Sequence, residues 1–514
     1  MLHTRVVASV TSIVLATTLI STPNVYAQST SVRDLVMGVG ADDTSLNFSW
    51  VTLEAGQQYL RIAETDNPDS SRDIPVEKQI YNAAVYHSNE VTVDGLKPAT
   101  SYTYQAGSDA LGWTEPVEFT TDDGDDAWNF ITMSDAQIGV DGIISEQAAN
   151  WDKATVTAFE RFPDSTMLLH LGDQVEGWGL PVKQYEEFAK PTALKRYPTA
   201  VLEGNHETYA PLSHFHQRFH LPNEVGESSN YFFERNNMLF IGLNSNENDA
   251  ASIEKHARFI RATIAEHGAD KDWIVVGMHH AVYSQGSHNS DAEVQRLRDG
   301  LAPVFTKEGV DLVLAGHDHI YTRSHLMEGT SPVEPEKLPE RGDALTPSNG
   351  QVLYVTVTTA GGGKYYDFHD SSGTARPNLR REFVAGTDDE LPATAYWRQD
   401  YTPDYTNVQV TPETLTLTTY NVNTPYVVDK VTLSKEQAPV EEPTEPSEPA
   451  EPNEPTEPAK PVQPAASGSI AGSSDGGAIA LTVAGIVAVL AAVGGFALQS
   501  GMFDAVLDQL GIRR

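Results

Sequence analysis

Between residues 31 and 122, apolar and polar positions alternate in short runs such as 46–50, 59–62, 89–93 and 101–104. A period of two belongs to a strand, because successive side chains point to opposite faces. Turn-forming residues punctuate the runs, among them Asp94-Gly95 and residues 109–112. The pattern predicts an all-β sandwich over 31–122. From 126 to 434 the texture changes. Residues 249–267 carry Ile253, Ala257, Ile260 and Ile264 on one stripe, with Glu254, Lys255, Arg258 and Arg261 elsewhere, which predicts an amphipathic helix. Residues 292–307 read the same way. Strand-like runs alternating with such helices predict an α/β unit whose site lies in loops beyond the carboxyl ends of its strands. Residues 405–433 return to strict alternation, with 414–420 and 427–433 as a hairpin. That hairpin completes a second sheet, so the expected architecture is an αββα sandwich.

The chemistry is concentrated where the apolar runs stop. The run 130–133 ends before Asp135, 167–169 before Asp173, 200–202 before Asn205 and His206, 274–276 before His279, and 310–315 before Gly316-His317-Asp318-His319. In an extended segment residues two apart share a side, so His317 and His319 are expected to present two imidazoles to one place while Asp318 turns away. Successive ends lie 32 to 74 residues apart, room for a helix or more between strands. Five strand ends thus deliver ligand-type residues to one rim. The chain has no Cys, so any metal is held by nitrogen and oxygen donors, which suit Zn, Mn or Fe.

Charge and the two ends of the chain set the surroundings. Thirty-four Lys and Arg stand against 71 Asp and Glu, a net −37, which argues against nucleic acid as a bulk partner and requires an anionic substrate to be drawn by something local. Residues 1–27 order a charged start, an apolar core and a small residue, the pattern of a secretory signal peptide. Residues 438–464 repeat Glu-Pro-x, too polar to pack and matched to the three residues per turn of polyproline II, which predicts a disordered but stiff stalk and linker over 438–476. Residues 478–498 carry no charge and would span about 32 Å as a helix, against a bilayer core of roughly 30 Å. Arg513 and Arg514 follow, which predicts a single-pass anchor with 499–514 inside and the catalytic domain outside. The stretch 391–395 resembles a sortase signal superficially, but its final Gly is missing and the apolar span lies far downstream.

The ordered stretches Gly172-Asp173, Gly204-Asn205-His206-Glu207, Gly277-Met278-His279 and Gly316-His317-Asp318-His319 resemble the calcineurin-like metallophosphoesterases. Flanking residues such as Tyr283-Ser284 and Ile320-Tyr321-Thr322-Arg323 are similar to the purple acid phosphatase branch, which also carries a fibronectin type III-like domain ahead of the catalytic one. Residues 96–102 resemble the tyrosine-bearing turn of fibronectin modules. The resemblance implies a catalytic domain over 126–434 with two metal ions, one on Asp135, Asp173 and His319, the other on Asp173, Asn205, His279 and His317. Two cations at short range need a shared ligand against their repulsion, and the two oxygens of Asp173 suit that bridge. Phosphate ester hydrolysis by a metal-activated hydroxide would follow, with His206 protonating the leaving alkoxide or stabilising the phosphoryl oxygens. His288 falls where family members place a substrate-contacting His. His280 is expected to be structural, His170 a core residue, and His214, His216 and His220 part of the rim or surface.

Two positions depart from the family. Purple acid phosphatases place a tyrosine ligand three residues after the bridging Asp, where this chain has Glu176, and other metallophosphoesterases place a His two residues after the first Asp, where it has Gln137. Gln137 either ligates through its carbonyl or hydrogen-bonds a bound water, with Glu176 a further candidate. The expected function is phosphomonoester hydrolysis at the cell surface. The alternatives are phosphodiester or nucleotide hydrolysis on the same core, or a surface binder that has kept the fold without catalysis.

Overall fold

The computed structural model describes residues 30–435, apart from 77–78, 85, 211, 213, 227 and 378–389. The expected signal peptide, stalk, membrane span and tail lie outside the described residues. Among those described, no helix is long and apolar enough to cross a membrane.

The alternating N-terminal runs form two antiparallel layers. One pairs Val32–Val39, Leu46–Thr52, Tyr86–Val93 and Gln79–Asn82, and the other pairs Asn67–Pro75, Tyr59–Glu64 and Ser101–Ser108, flanked by Gly112–Trp113 and Val117–Thr120. Every second residue points inward, so Met37, Phe48, Trp50, Leu60, Ile62, Val91 and Tyr104 fill the core between the layers. Tyr102 closes the turn before its strand, its hydroxyl accepting from the Lys97 N–H at 3.0 Å.

The second region is two sheets face to face with helices outside. One sheet runs through Trp128–Met133, Leu168–His170 and Thr199–Val201 in parallel, then antiparallel through Asp404–Val410, Thr414–Asn421 and Val427–Ser434. The other is built on Met238–Leu243, Trp273–Met278, Leu312–Ala315 and Leu353–Thr356, all parallel. Each central strand is covered on both sides, which is why it reads as an unbroken apolar run. Phe130, Leu169, Val275, Leu312 and Leu314 turn toward the facing sheet. Ile131 and Leu168 instead meet Trp151, Ala154 and Ala158 of the helix Ile144–Arg161. Val276 and Val313 meet Ile260, Leu297 and Leu301 of Ala250–His267 and Ala292–Glu308. The first of these two helices starts where Asp249 caps it, accepting from the N–H groups of Ala251 and Ser252. The αββα arrangement and the C-terminal hairpin agree with the sequence.

The sequence did not show that the sandwich and the catalytic sheet are continuous. Val32–Val39 pairs in parallel with Thr199–Val201 through Gly38 and Thr199, making an 11-stranded sheet across the junction. Buried polar contacts reinforce the seam. Arg218 pairs with Asp34, Ser49 Oγ donates to the Arg218 carbonyl at 2.6 Å, and Tyr86 hydroxyl lies 2.7 Å from His214 Nδ1. His214 is therefore buried in this seam rather than on the rim of the site, and burial pushes its pKa down to about 4. A cavity of about 870 Å³ also opens along the junction, lined by Phe119, Trp128 and Tyr197, but it contains none of the candidate ligands.

Candidate metal centre

All the strand-end residues converge. Within the parallel strands the chain is extended, but past their ends it turns sharply. Asp135, Gln137, Asp173, His317 and His319 all have positive φ, between 40° and 72°. That conformation is uncommon for residues with a Cβ, and its clustering marks a site where packing holds the backbone against local preference. It also corrects the sequence argument for the His-x-His pair. The strand ends at Ala315, and the two imidazoles are brought inward by left-handed turns rather than by strand alternation. Asp318 does turn away, its carboxylate accepting from the His288 N–H at 3.0 Å. The glycines beside the ligands are required by close approach. A Cβ on Gly316 would lie 1.9 Å from Ser134 Oγ, and one on Gly204 would lie 2.1 Å from Asp173 Oδ1.

His279 Nε2 sits 3.2 Å from Asp173 Oδ2, 3.1 Å from Asn205 Oδ1 and 3.2 Å from His317 Nδ1. Asp173, His279 and His317 each offer a ligand atom, all within 4.8 Å of one another. Beside them, His319 Nε2 lies 3.0 Å from Asp135 Oδ1, and Asp135 also accepts from the His317 N–H at 3.0 Å. The outer nitrogens are committed elsewhere. His279 Nδ1–H donates to the Leu171 carbonyl at 2.9 Å and His319 Nδ1–H to the Lys364 carbonyl at 2.7 Å. Each ring is thus fixed with Nε2 aimed inward, as a metal-ligating histidine requires. The donor set fits a divalent or trivalent cation with nitrogen and oxygen preferences.

The electrostatics agree. Burial alone would raise a carboxylate's pKa, yet the imidazoles of His319 and His279 hold Asp135 below its ordinary value, and His279 and His206 do the same for Asp173. Burial opposes charge on His279 too, but Asp173 and Asp135 outweigh it and lift the pKa to about 10. The buried carboxylates therefore demand positive charge, which protons on Nε2 supply and for which a metal would compete. His317 is pushed the other way, first by burial and then by its neighbouring histidines, which leaves it neutral.

His206 lies at the edge. Its N–H donates to Asp173 Oδ1 at 2.9 Å, and its ring Nε2 is 3.9 Å from Asp173 Oδ2. Nδ1–H donates to the Glu176 carbonyl at 2.9 Å, so Nε2 accepts from Gln137 Nε2–H at 2.9 Å. Gln137 also donates to Glu176 Oε2 at 2.9 Å, while its own Oε1 is buried with no hydrogen-bond partner. His288 flanks the site on the far side, its ring 4.3 Å from that of His317 and 4.8 Å from Tyr366, with Nδ1 2.6 Å from Asp291 Oδ2. His280 is buried against Ser245 Oγ at 2.8 Å, and burial drives its pKa to about 3. His170 is packed edge-on to Trp151 and Phe188, also at about 3 because of burial.

Further contributors were given no role by the sequence. Glu207 accepts from the N–H groups of Gly204 at 2.7 Å and Asp173 at 2.9 Å, clamping two of the ligand loops together. The run Gly361-Gly362-Gly363 packs against the Asp135 loop, where a Cβ on Gly361 would lie 1.9 Å from the Ala136 carbonyl. Lys364 and Tyr366 follow it into the site. Three glycines after an apolar strand were the available signal.

An αββα sandwich with His and Asp ligands at its strand ends defines the metallophosphoesterase class. The calcineurin-like phosphoesterase family matches residues 133–321, and the purple acid phosphatase N-terminal domain matches 33–121. Residues 33–121 are therefore similar to the N-terminal domain of purple acid phosphatases, and residues 133–321 to the calcineurin-like phosphoesterase domain. It is 24% identical over 300 residues to the probable purple acid phosphatase 20 of Arabidopsis thaliana, covering 55% of this chain and 67% of that one. Two uncharacterized proteins of Mycobacterium tuberculosis are 31% identical over 141 residues, 26% of this chain and 25% of theirs, so the chain spans about a quarter of the length of those relatives. The purple acid phosphatase PPD1 of yellow lupin seeds shares the fold, with a TM-score of 0.62 at 14% identity over 79% of this chain and 75% of that one.

Proposed function

We propose that the protein is an exported, membrane-anchored phosphoric monoester hydrolase with two metal ions. The observation that carries this reading is the convergence of Asp135, Asp173, Asn205, His279, His317 and His319 on one pocket, with the outer nitrogens of His279 and His319 already bonded to carbonyl groups. Asp173, with two carboxylate oxygens, would hold both ions. Bound metals would supply Lewis acidity and activate water at neutral pH. The chain's own residues do the rest. His206 is tethered through Nδ1–H to the Glu176 carbonyl with Nε2 beside the pocket, and in its protonated form, with the Gln137 amide turned away from Nε2, it serves the leaving oxygen as proton donor. Lys364, its ammonium over the Tyr366 ring, supplies local positive charge that draws a dianion into an acidic protein, and the His288 ring beside His317 is placed to meet the substrate. Export and anchoring are supported by the sequences of 1–27 and 478–498.

The test is a paired assay of the metal-loaded protein on a mono-aryl and a bis-aryl phosphate, with fractionation of cells that make the full chain. Preferential turnover of the monoester and recovery in the membrane fraction are expected. Preference for the diester would move the assignment to a phosphodiesterase. Full metal content with no turnover of either would leave a binding protein.

A further inference from the structure

Next to His206 the surface carries two aromatic rings that no core claims. Trp178 and Tyr209 are 48% and 38% exposed, stacked on one another with centroids 4.8 Å apart and planes 23° from parallel. Leaving rings of this size partly in water forgoes the favourable burial of apolar surface. They are nevertheless held firmly. Gly177 has φ +75°, and a Cβ there would lie 2.1 Å from the His206 carbonyl oxygen, so the Trp178 loop is pressed onto the His206 backbone. Gln184 grips the loop from below, Nε2–H donating to the Trp178 carbonyl at 2.7 Å and Oε1 accepting from the Gly177 N–H at 3.0 Å. Tyr209 hydroxyl accepts from Asn205 Nδ2 at 3.2 Å, and its ring meets the His206 ring edge-on at 5.0 Å. The aromatic pair thus begins one ring's width from the imidazole that faces the leaving oxygen.

We propose that Trp178 and Tyr209 form a stacking subsite for a planar aromatic group on the leaving side of the substrate, a nucleobase or an aryl ring. The assignment of sides rests on the phosphoester hydrolase reading of the site. A stacked indole and phenol offer a broad polarisable face, which suits planar π-systems and tolerates differences in ring identity. In a protein of net −37, an uncharged aromatic contact also adds affinity for a dianionic ester without further repulsion.

The test uses metal-loaded full chain and hydrolysis-resistant phosphonates in which carbon replaces the bridging oxygen: an adenosine analogue, benzylphosphonate and 3-hydroxypropylphosphonate. Binding is measured by calorimetry for wild type, Trp178→Ala and Trp178→Phe, with turnover of the matching esters recorded in parallel. The wild type is expected to prefer the aromatic ligands by roughly tenfold, Trp178→Ala to bring that ratio near one, and Trp178→Phe to restore most of it. Preference for the adenosine analogue alone narrows the subsite to nucleobases, and preference for both assigns aryl rings generally. An unchanged ratio in Trp178→Ala, or equal weakening of all three ligands, overturns the subsite. Ring preference without turnover of any ester upholds the subsite and removes the hydrolase reading instead.

Discussion

The two halves of the candidate metal centre are built from the same kinds of residue but are not equally furnished. On one side, Asp173, Asn205 and His317 crowd ligand atoms around His279 Nε2 at 3.1 to 3.2 Å. On the other, Asp135 and His319 face each other at 3.0 Å, and the next residue able to contribute is Gln137, whose amide nitrogen is engaged by Glu176 and His206. Two ions bound there should therefore be held unequally. The Asp173 half has a full set of donors, whereas the Asp135 half depends on the unpartnered Gln137 Oε1 or on water.

The largest effect is expected at the residue both halves share. Asp173→Asn should reduce activity to background and strip both ions, measured by elemental analysis of the purified variant. Retention of both ions there would mean that Asp173 is not the bridge. His206→Ala belongs to neither half, so it should keep its metal while turnover falls about 10²- to 10⁴-fold. Loss of metal from His206→Ala would make His206 a ligand and redraw the comparison.

A smaller effect separates the site's carboxylates from one whose burial outweighs the charge near it. Asp311 stands at the opposite end of the strand that leads to His317, and burial pushes its pKa up to about 6, partly offset by the Ile274 N–H it accepts at 2.8 Å. A raised carboxyl pKa works against stability as the group ionises. The penalty is absent below about pH 4 and complete above about pH 6, of order 3 kcal/mol. Asp311→Asn should therefore raise Tm relative to wild type at pH 7.5 and lose that advantage at pH 4. An advantage that does not change with pH would show that Asp311 is not ionising under strain. Asp135 and Asp173, more deeply buried still, escape this penalty because cationic groups surround them.

The weakest signal expected is a spectroscopic one. Tyr321 is spoken for, its hydroxyl donating to Asp429 Oδ2 at 2.9 Å, and Glu176 holds the position where the purple enzymes have tyrosine. Iron-loaded protein should lack an intense visible band. A purple product would mean that Tyr209 or Tyr366 has moved onto the metal.

Most of this was legible in the sequence for a physical reason. Strands covered on both faces must be apolar throughout, so their ends stand out, and Asp135, Asp173, Asn205, His279 and His317 sit at those ends. The legible part stops where tertiary contact decides. The left-handed turns at His317 and His319 depend on neighbouring loops, and only the contact of Gly316 with Ser134 reveals why glycine is needed there. His214 reads as a rim residue until the sandwich is seen to cover it. Glu207 reads as part of a motif, and its role as a clamp appears only once Asp173 folds back over it.

The central claim is a two-ion site with unequal halves, and stepwise metal removal tests it most directly. Metal-loaded wild type and Gln137→His are dialysed against rising chelator, with bound metal counted at each step. Two ions should leave in separate steps, with Gln137→His shifting only the earlier step, by about 10- to 100-fold in chelator. Loss of both ions in one step, or a shift confined to the later step, would contradict it.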